Sequence, residues 1–236
     1  KSRLARIIDS DIFYSYRTSP VAIVSSIVAT VLILAAVFAP WIAPYDPFNP
    51  RTLNLMNGFT PPMSESFSGS FFLLGSDHQG RDVFSAILYG SRVSLMVGLS
   101  AILFAMLLGV TLGLIAGYRG GLTDTIIMRI ADVQLSFPSI LIALLIFGIA
   151  RGIIPPNQRE SMAIFVLIFS IGLSDWAQFA RTVRGTTMVE RQKDYVSAAR
   201  IIGVKPVFIL IRHILPNVLG PVLVIGTIGL ALAIIA

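Results

Sequence analysis

Histidine and cysteine supply many of the general bases, nucleophiles and metal ligands of proteins, and this chain has two of the first and none of the second. His78 sits between Asp77 and Gln79 in a turn-rich stretch with no second His or Cys nearby, so it reads as a hydrogen-bonded turn residue rather than a ligand. His213 lies far along the chain, and neither imidazole has a nucleophile placed for a hydrolytic triad. The absence of cysteine excludes thiolate chemistry and leaves the redox compartment open. A Gly-x-x-x-x-Gly-Lys-Ser/Thr loop is also missing, so the chain cannot hold ATP in the P-loop manner and any energy must come from a partner. Ionisable groups inside apolar runs are the remaining candidates, because a charge in a membrane span is costly and functional by default. They are Asp132, three residues after Arg129, and Asp175, within two turns of Arg181. Those spacings favour boundary anchoring by the nearby arginines over a proton relay or a substrate contact.

The elements that would position these groups are transmembrane helices. Hydrophobic residues make up 55% of the 236 and charged residues 13%, with a mean hydropathy of +0.83. A water-soluble surface needs roughly a quarter to a third of its positions charged, so most of this surface must face lipid. Crossing a bilayer takes about 20 apolar residues. Five stretches qualify: Val21 to Phe38, Ser91 to Tyr118, Thr123 to Ile149 (starting in water and entering lipid near Val133), Met162 to Ala180, and Val207 to Ala236 with a kink at Pro216. The expected fold class is all-α, a polytopic helical bundle. Lys1 to Pro20 carries Asp9 and Asp11 and lacks a small-residue cleavage site, so the first span is expected to stay as an anchor. The apolar run from Val222 is still continuing at Ala236, and more sequence is expected beyond it.

Orientation follows from the basic residues. With the N-terminus inside, thirteen lie on the inner side (Lys1, Arg3, Arg6, Arg17, Arg119, Arg129, Arg181, Arg184, Arg191, Lys193, Arg200, Lys205, Arg212). Outside fall Arg51, Arg81, Arg151 and Arg159, with Arg92 near the outer boundary. The same asymmetry accounts for the net charge of +6 without nucleic acid, and it places the two histidines on opposite sides of the membrane, where they cannot share a metal. The organisation is thus a cytoplasmic segment 1–20, a first span 21–40, an external loop 41–89 rich in turn formers, and a membrane domain 90–236 with a cytoplasmic loop 181–206. No span carries a charge in its middle third on these boundaries, which argues against an ion-coupled secondary transporter.

Two patterns stand out. The second span has small residues at Gly90, Ser94, Gly98, Ala105, Gly109, Gly113 and Gly117, mostly four apart, a face for close helix approach either within this subunit or at a subunit interface. The inner loop reads ERQKDYVSAARIIGVKP from Glu190 to Pro206, placing Tyr195, Ala198, Ala199 and Ile202 on one face of a short helix. Gly203 stops that helix and Pro206 opens the next. Such a helix could simply rest on lipid headgroups.

SAARIIG followed nine residues later by HILP resembles the EAA loop of ABC importer permeases, matching at Ala198, Ala199, Gly203, Leu215 and Pro216, with Ser197 in place of Glu and His213 in place of Ile. LGSDHQGRDVFSAILYGSRVSL, from Leu74 to Leu95, is similar to a segment of the C-type permeases of peptide and nickel importers, through Gly75, Asp77, Gly80, Arg81 and Asp82. The resemblance implies six helices, the sixth beyond Ala236, in a bacterial inner-membrane permease that shares an alternating-access pore with a homologous second permease. It implies two cytoplasmic ATPase subunits that bind ATP and Mg, a periplasmic or surface-anchored solute-binding protein, and no cofactor on this chain. Asp194 to Gly203 would then be the coupling helix, docking on the ATPase through Tyr195, Ala198 and Ala199. Arg81 and Asp82 would fold the external loop. The substrate, whether dipeptide, oligopeptide, glutathione or nickel, is not readable from these residues.

Overall fold

Eighteen residues with no charge, entered through a serine and a proline, form the first long helix of the computed structural model, which describes residues 11–49 and 53–235. Lys1, Arg3, Arg6, Arg51 and Ala236 lie outside the described residues. The first helix, α1 (Asp11–Thr18), is followed by α2 (Pro20–Val37), where the Ser19 hydroxyl accepts from the Ala22 amide at 3.3 Å. At 1.5 Å per residue α2 is about 27 Å long, close to the thickness of a hydrocarbon core. A short helix α3 (Ala39–Ile42) and a two-stranded hairpin, β1 (Ser64–Glu65) on β2 (Phe71–Phe72), follow α2 in the chain.

The chain divides into two contact units, up to Leu95 and from Met96 onward, with the boundary inside α4 (Val83–Arg119). α4 starts eight residues before the expected Ser91, because Asp82 caps it: its Oδ2 accepts from the amide of Ser85 at 2.9 Å and from its hydroxyl. The loop before it is shaped by Asp77, whose Oδ1 accepts from the amides of Gln79 (2.8 Å) and Arg81 (2.9 Å). Gly80 has φ +74°, and a Cβ there would stand 2.1 Å from the Asn54 carbonyl oxygen; Gly75, at φ +81°, would meet that of Thr60 at 2.6 Å. Gly75, Asp77, Gly80, Arg81 and Asp82 thus build a turn that launches the longest helix.

The expected third span is not one helix. The chain turns at Gly120 and Gly121, both at positive φ, into α5 (Gly121–Leu135), which breaks and bends by 95° into α6 (Ser139–Ile153). Proline disfavours helical geometry in the residue before it, so Phe137–Pro138 ends α5 although the apolar run continues. The Ser136 hydroxyl then donates to the Asp132 carbonyl at 2.8 Å.

The fourth span also departs from expectation. α7 (Arg159–Glu190) runs ten residues past Ala180, so the first part of the expected 181–206 loop is helix. Arg181 and Arg184 lie on α7 because carboxylates of α5 neutralise them: Arg181 pairs with Asp132, and Arg184 Nη2 reaches Asp124 Oδ2 at 2.6 Å. Asp132 therefore does not pair with Arg129, nor Asp175 with Arg181. Asp175 is the seventeenth of the 32 residues of α7, a helix of about 48 Å that is longer than a hydrocarbon core of about 30 Å.

After a short helix α8 (Asp194–Ile201), the last spanning element opens with α9 (Pro206–Ile209), passes through a five-residue π turn (Leu210–Ile214) and continues as α10 (Leu215–Ile235). The deformation anticipated at Pro216 thus takes the form of a π turn just before it: a proline has no N–H to give to a helical partner, and a wider turn accommodates that loss.

The glycine stripe packs within the subunit. A Cβ on Gly109 would stand 2.4 Å from the carbonyl oxygen of Trp176, on Gly113 2.6 Å from that of Ala180, and on Gly117 2.8 Å from that of Arg184. Both numbers in each pair rise together, so α4 and α7 run parallel, in contact backbone to backbone. Gly98 faces Ile234 and Leu230 on α10, while Gly229 and Gly226 of α10 face Ile102 and Met106, an antiparallel pairing. Because α4 and α7 run the same way, the bent α5–α6 pair must carry the chain back between their opposite ends, and it does so as a broken crossing. The main core, including Ile102, Leu114, Phe179, Val183, Ile214 and Val218, sits where α4, α7 and α10 converge.

Candidate functional site

α8 is held by a buried edge and a polar knot. Val196 and Ala199 are buried and belong to the main core with Ile209 and Ile214. The expected common face of Tyr195, Ala198, Ala199 and Ile202 is therefore divided: Ala199 turns inward, whereas Asp194, Ser197 and Ala198 are exposed and Ile201 and Ile202 are 86% and 79% exposed. Gly203, at φ +83°, ends the helix in the left-handed region, and Pro206 starts α9. Sequence spacing missed the inward role of Val196, although Val196 and Ala199 are three apart and both apolar.

The knot joins three elements. Glu190, last residue of α7 and buried, accepts from Tyr195 Oη at 2.5 Å through Oε2 and from Lys193 Nζ at 2.6 Å through Oε1. Asn217 Nδ2 donates to Tyr195 Oη at 3.1 Å and to the His213 carbonyl at 2.9 Å. A π turn shifts the hydrogen-bond register, and the His213 carbonyl, just before Pro216, finds its partner in this side-chain amide. Burial first, and then the neighbouring Glu190 carboxylate, hold the Tyr195 phenol above its ordinary pKa, so it remains a donor. Leu215 and Pro216 lie beside the knot at the start of α10.

Two arginines tie this region to α4. Arg191 Nη1 donates to the carbonyls of Gly117 (3.1 Å) and Tyr118 (3.0 Å), satisfying acceptors in the last turn of α4. The Arg200 guanidinium stands 5.2 Å from the centre of the Tyr118 ring. The short helix is thereby fastened to α4, α7 and α10, with its two isoleucines left facing outward.

A second feature lies among α5, α6, α7 and α10. A cavity of about 380 Å³ is lined by the polar residues Ser139, Ser174, Asp175, Gln178, Arg181 and Thr182 and by apolar residues including Ile225, Ile228 and Leu232. Gln134 fixes its α5 wall, donating to the carbonyls of Leu173 and Ser174 at 2.8 and 2.7 Å and accepting from the Trp176 indole at 2.8 Å.

Comparison with known proteins agrees with this arrangement. Residues 109–236 match the family described as binding-protein-dependent transport system inner membrane component, and residues 10–62 match the N-terminal TM domain of oligopeptide transport permease C. The oligopeptide transport permease protein OppC of Bacillus subtilis is 34% identical over 224 residues, covering 95% of this chain and 67% of that protein. The dipeptide permease protein DppC of Alkalihalophilus pseudofirmus is 38% identical, covering 94% and 67%. The glutathione permease protein GsiD of Pectobacterium atrosepticum is 38% identical, covering 91% and 65%. The chain thus spans about two thirds of the length of these relatives. Spanning helices, the loop that launches α4 and the anchored short helix all fall within the matched length, and the chain belongs to the family of binding-protein-dependent transport system inner membrane components, as a multi-pass permease component with a C-type N-terminal region.

Proposed function

We propose that this chain is one of two homologous permease subunits of an ATP-driven importer for short peptides in a bacterial inner membrane, with its N-terminus in the cytoplasm. The relatives named above act on oligopeptides, dipeptides or glutathione, which supports a substrate of that class. ATP and Mg belong to two cytoplasmic ATPase subunits, and a binding protein delivers solute from outside; this chain holds no cofactor of its own.

The observation that carries the proposal is α8. A helix of eight residues that fixes one edge in the core and presents Ile201 and Ile202 to the outside is built to meet another protein surface. Asp194 and Ala198 line the same outward side, while Ala199 and Tyr195 hold the helix to the bundle. ATPase closure would push α8, and its ties to α4, α7 and α10 would pass that displacement to the spanning helices, changing which side the pore faces.

Co-purification after mild detergent extraction tests this. Wild type should retain a second permease and an ATPase. The Ile201→Glu, Ile202→Glu variant should keep the permease and lose the ATPase. Retention of the ATPase by that variant would remove α8 from the docking role.

One observation favours an ion-coupled secondary transporter instead: Asp175 stands at the centre of a spanning helix. Uptake that proceeds in ATP-free vesicles under an ion gradient would establish that reading; uptake that needs ATP and survives an uncoupler would eliminate it.

A further inference from the structure

Among the acidic residues of α5 and α7, Asp124, Asp132 and Glu190 each hold a cation of this chain, yet among the described residues no lysine or arginine forms an ion pair with Asp175, and Arg181, which also lines its cavity, is paired with Asp132. Asp175 is also the acid at the middle of α7, and it lines the 380 Å³ cavity described above. That volume lies in the range of small-ligand sites, about 300–1,000 Å³, and the lining has their character: apolar walls with a few convergent polar groups. A carboxylate half-withdrawn from water there attracts a positive charge strongly, because little solvent screens it.

We infer that this cavity binds the ammonium group of a short peptide, with Asp175 as its counter-charge. An ammonium has three N–H donors. The Asp175 carboxylate, to which the Ser139 and Ser174 hydroxyls donate, takes one, and the Thr182 hydroxyl and the Gln178 side-chain oxygen are the acceptors available for the others. The apolar wall of Ile225, Ile228 and Leu232 accepts side chains without selecting among them, so the site reads the charged terminus and tolerates the rest. The inference rests on the peptide-import reading and adds to it where, and by which chemical group, the permease itself holds its substrate.

The test uses the assembled importer in proteoliposomes. A hydrophobic carbodiimide modifies protonated carboxyls in apolar surroundings, and mass spectrometry reports modification at Asp175. Dialanine should lower that modification at least fivefold, and N-acetyl-dialanine, which lacks the ammonium, should not. Equal protection by both, or protection by neither, would overturn the inference. ATP-driven uptake gives a second readout: Asp175→Asn should raise the KM for dialanine at least tenfold and Asp175→Glu should bring it back. A KM within twofold of wild type in Asp175→Asn also overturns the site while leaving peptide import standing. If the wild-type importer takes up no peptide with ATP present, the import reading fails and the site falls with it.

Discussion

The Asn217 side-chain amide stands 3.1 Å from the Tyr195 hydroxyl and 2.9 Å from the His213 carbonyl, so one side chain of α10 holds both the short helix α8 and the π turn. Replacing it leaves a carbonyl without this partner and loosens Tyr195, at a cost of about 1 kcal/mol in stability. Asn217→Leu should therefore fold and retain the ATPase but show several-fold slower uptake per ATP hydrolysed. Measuring both rates on one preparation checks this; an unchanged ratio would remove Asn217 from transmission.

Tyr195 makes an alkaline prediction. Its phenol sits above the ordinary value of 10.0, first through burial and then through Glu190. A folded pKa above the unfolded one means that its contribution is complete below about pH 10 and declines as pH rises through the folded pKa. Thermal stability should thus be insensitive to this group from pH 7 to 9 and fall more steeply above pH 10 in wild type than in Tyr195→Phe. Melting curves of the two proteins across that interval decide it.

The α4–α7 contact predicts a steep size dependence. At Gly113 a new Cβ would approach the Ala180 carbonyl oxygen to 2.6 Å, whereas at Gly90 it would meet nothing within 4 Å. Gly113→Val should cost about 1–3 kcal/mol or prevent assembly, and Gly90→Ala should be neutral or slightly stabilising in the helix. Detergent melting temperatures compare the two directly.

The two ion pairs between α5 and α7 should differ in worth. Asp124 and Arg184 have side chains 15% and 33% exposed, against 51% and 54% for Asp132 and Arg181. Removing one partner of a largely withdrawn pair strands the other, by about 3 kcal/mol, while an exposed pair is worth about 0–1 kcal/mol. Asp124→Asn should lower the melting temperature clearly and Asp132→Asn hardly at all. Equal effects would mean that burial does not set their value.

Much of the bundle was legible because lipid imposes its own composition: runs of about 20 apolar residues and an uneven share of arginine mark spans whatever packs against them. The glycine spacing gave the close-packed face of α4 but not the partner, since a four-residue period describes one helix only. The break at Phe137–Pro138 was hidden by apolar residues on both sides, although the proline itself was a visible signal. The true end of α7 could not be read locally, because what keeps Arg181 and Arg184 on a helix is Asp132 and Asp124, some 50 to 60 positions earlier. The coupling segment was found by spacing and resemblance. Which of its faces turns inward was decided by Val196 and Ala199 meeting residues from distant helices.

Where α4 and α7 touch, Gly109, Gly113 and Gly117 lie close against carbonyl oxygens of α7 and the short stems of Phe179, Val183 and Thr187, leaving little slack to absorb a push. The two therefore act mechanically as a single stiff rod, about 48 Å long over the 32 residues of α7. A force applied near Glu190 cannot be spent on sliding one helix past the other and must tilt the rod as a whole. Its ends then sweep widest and its midpoint least, so Asp175, the seventeenth of 32 residues, sits close to the pivot and turns nearly in place.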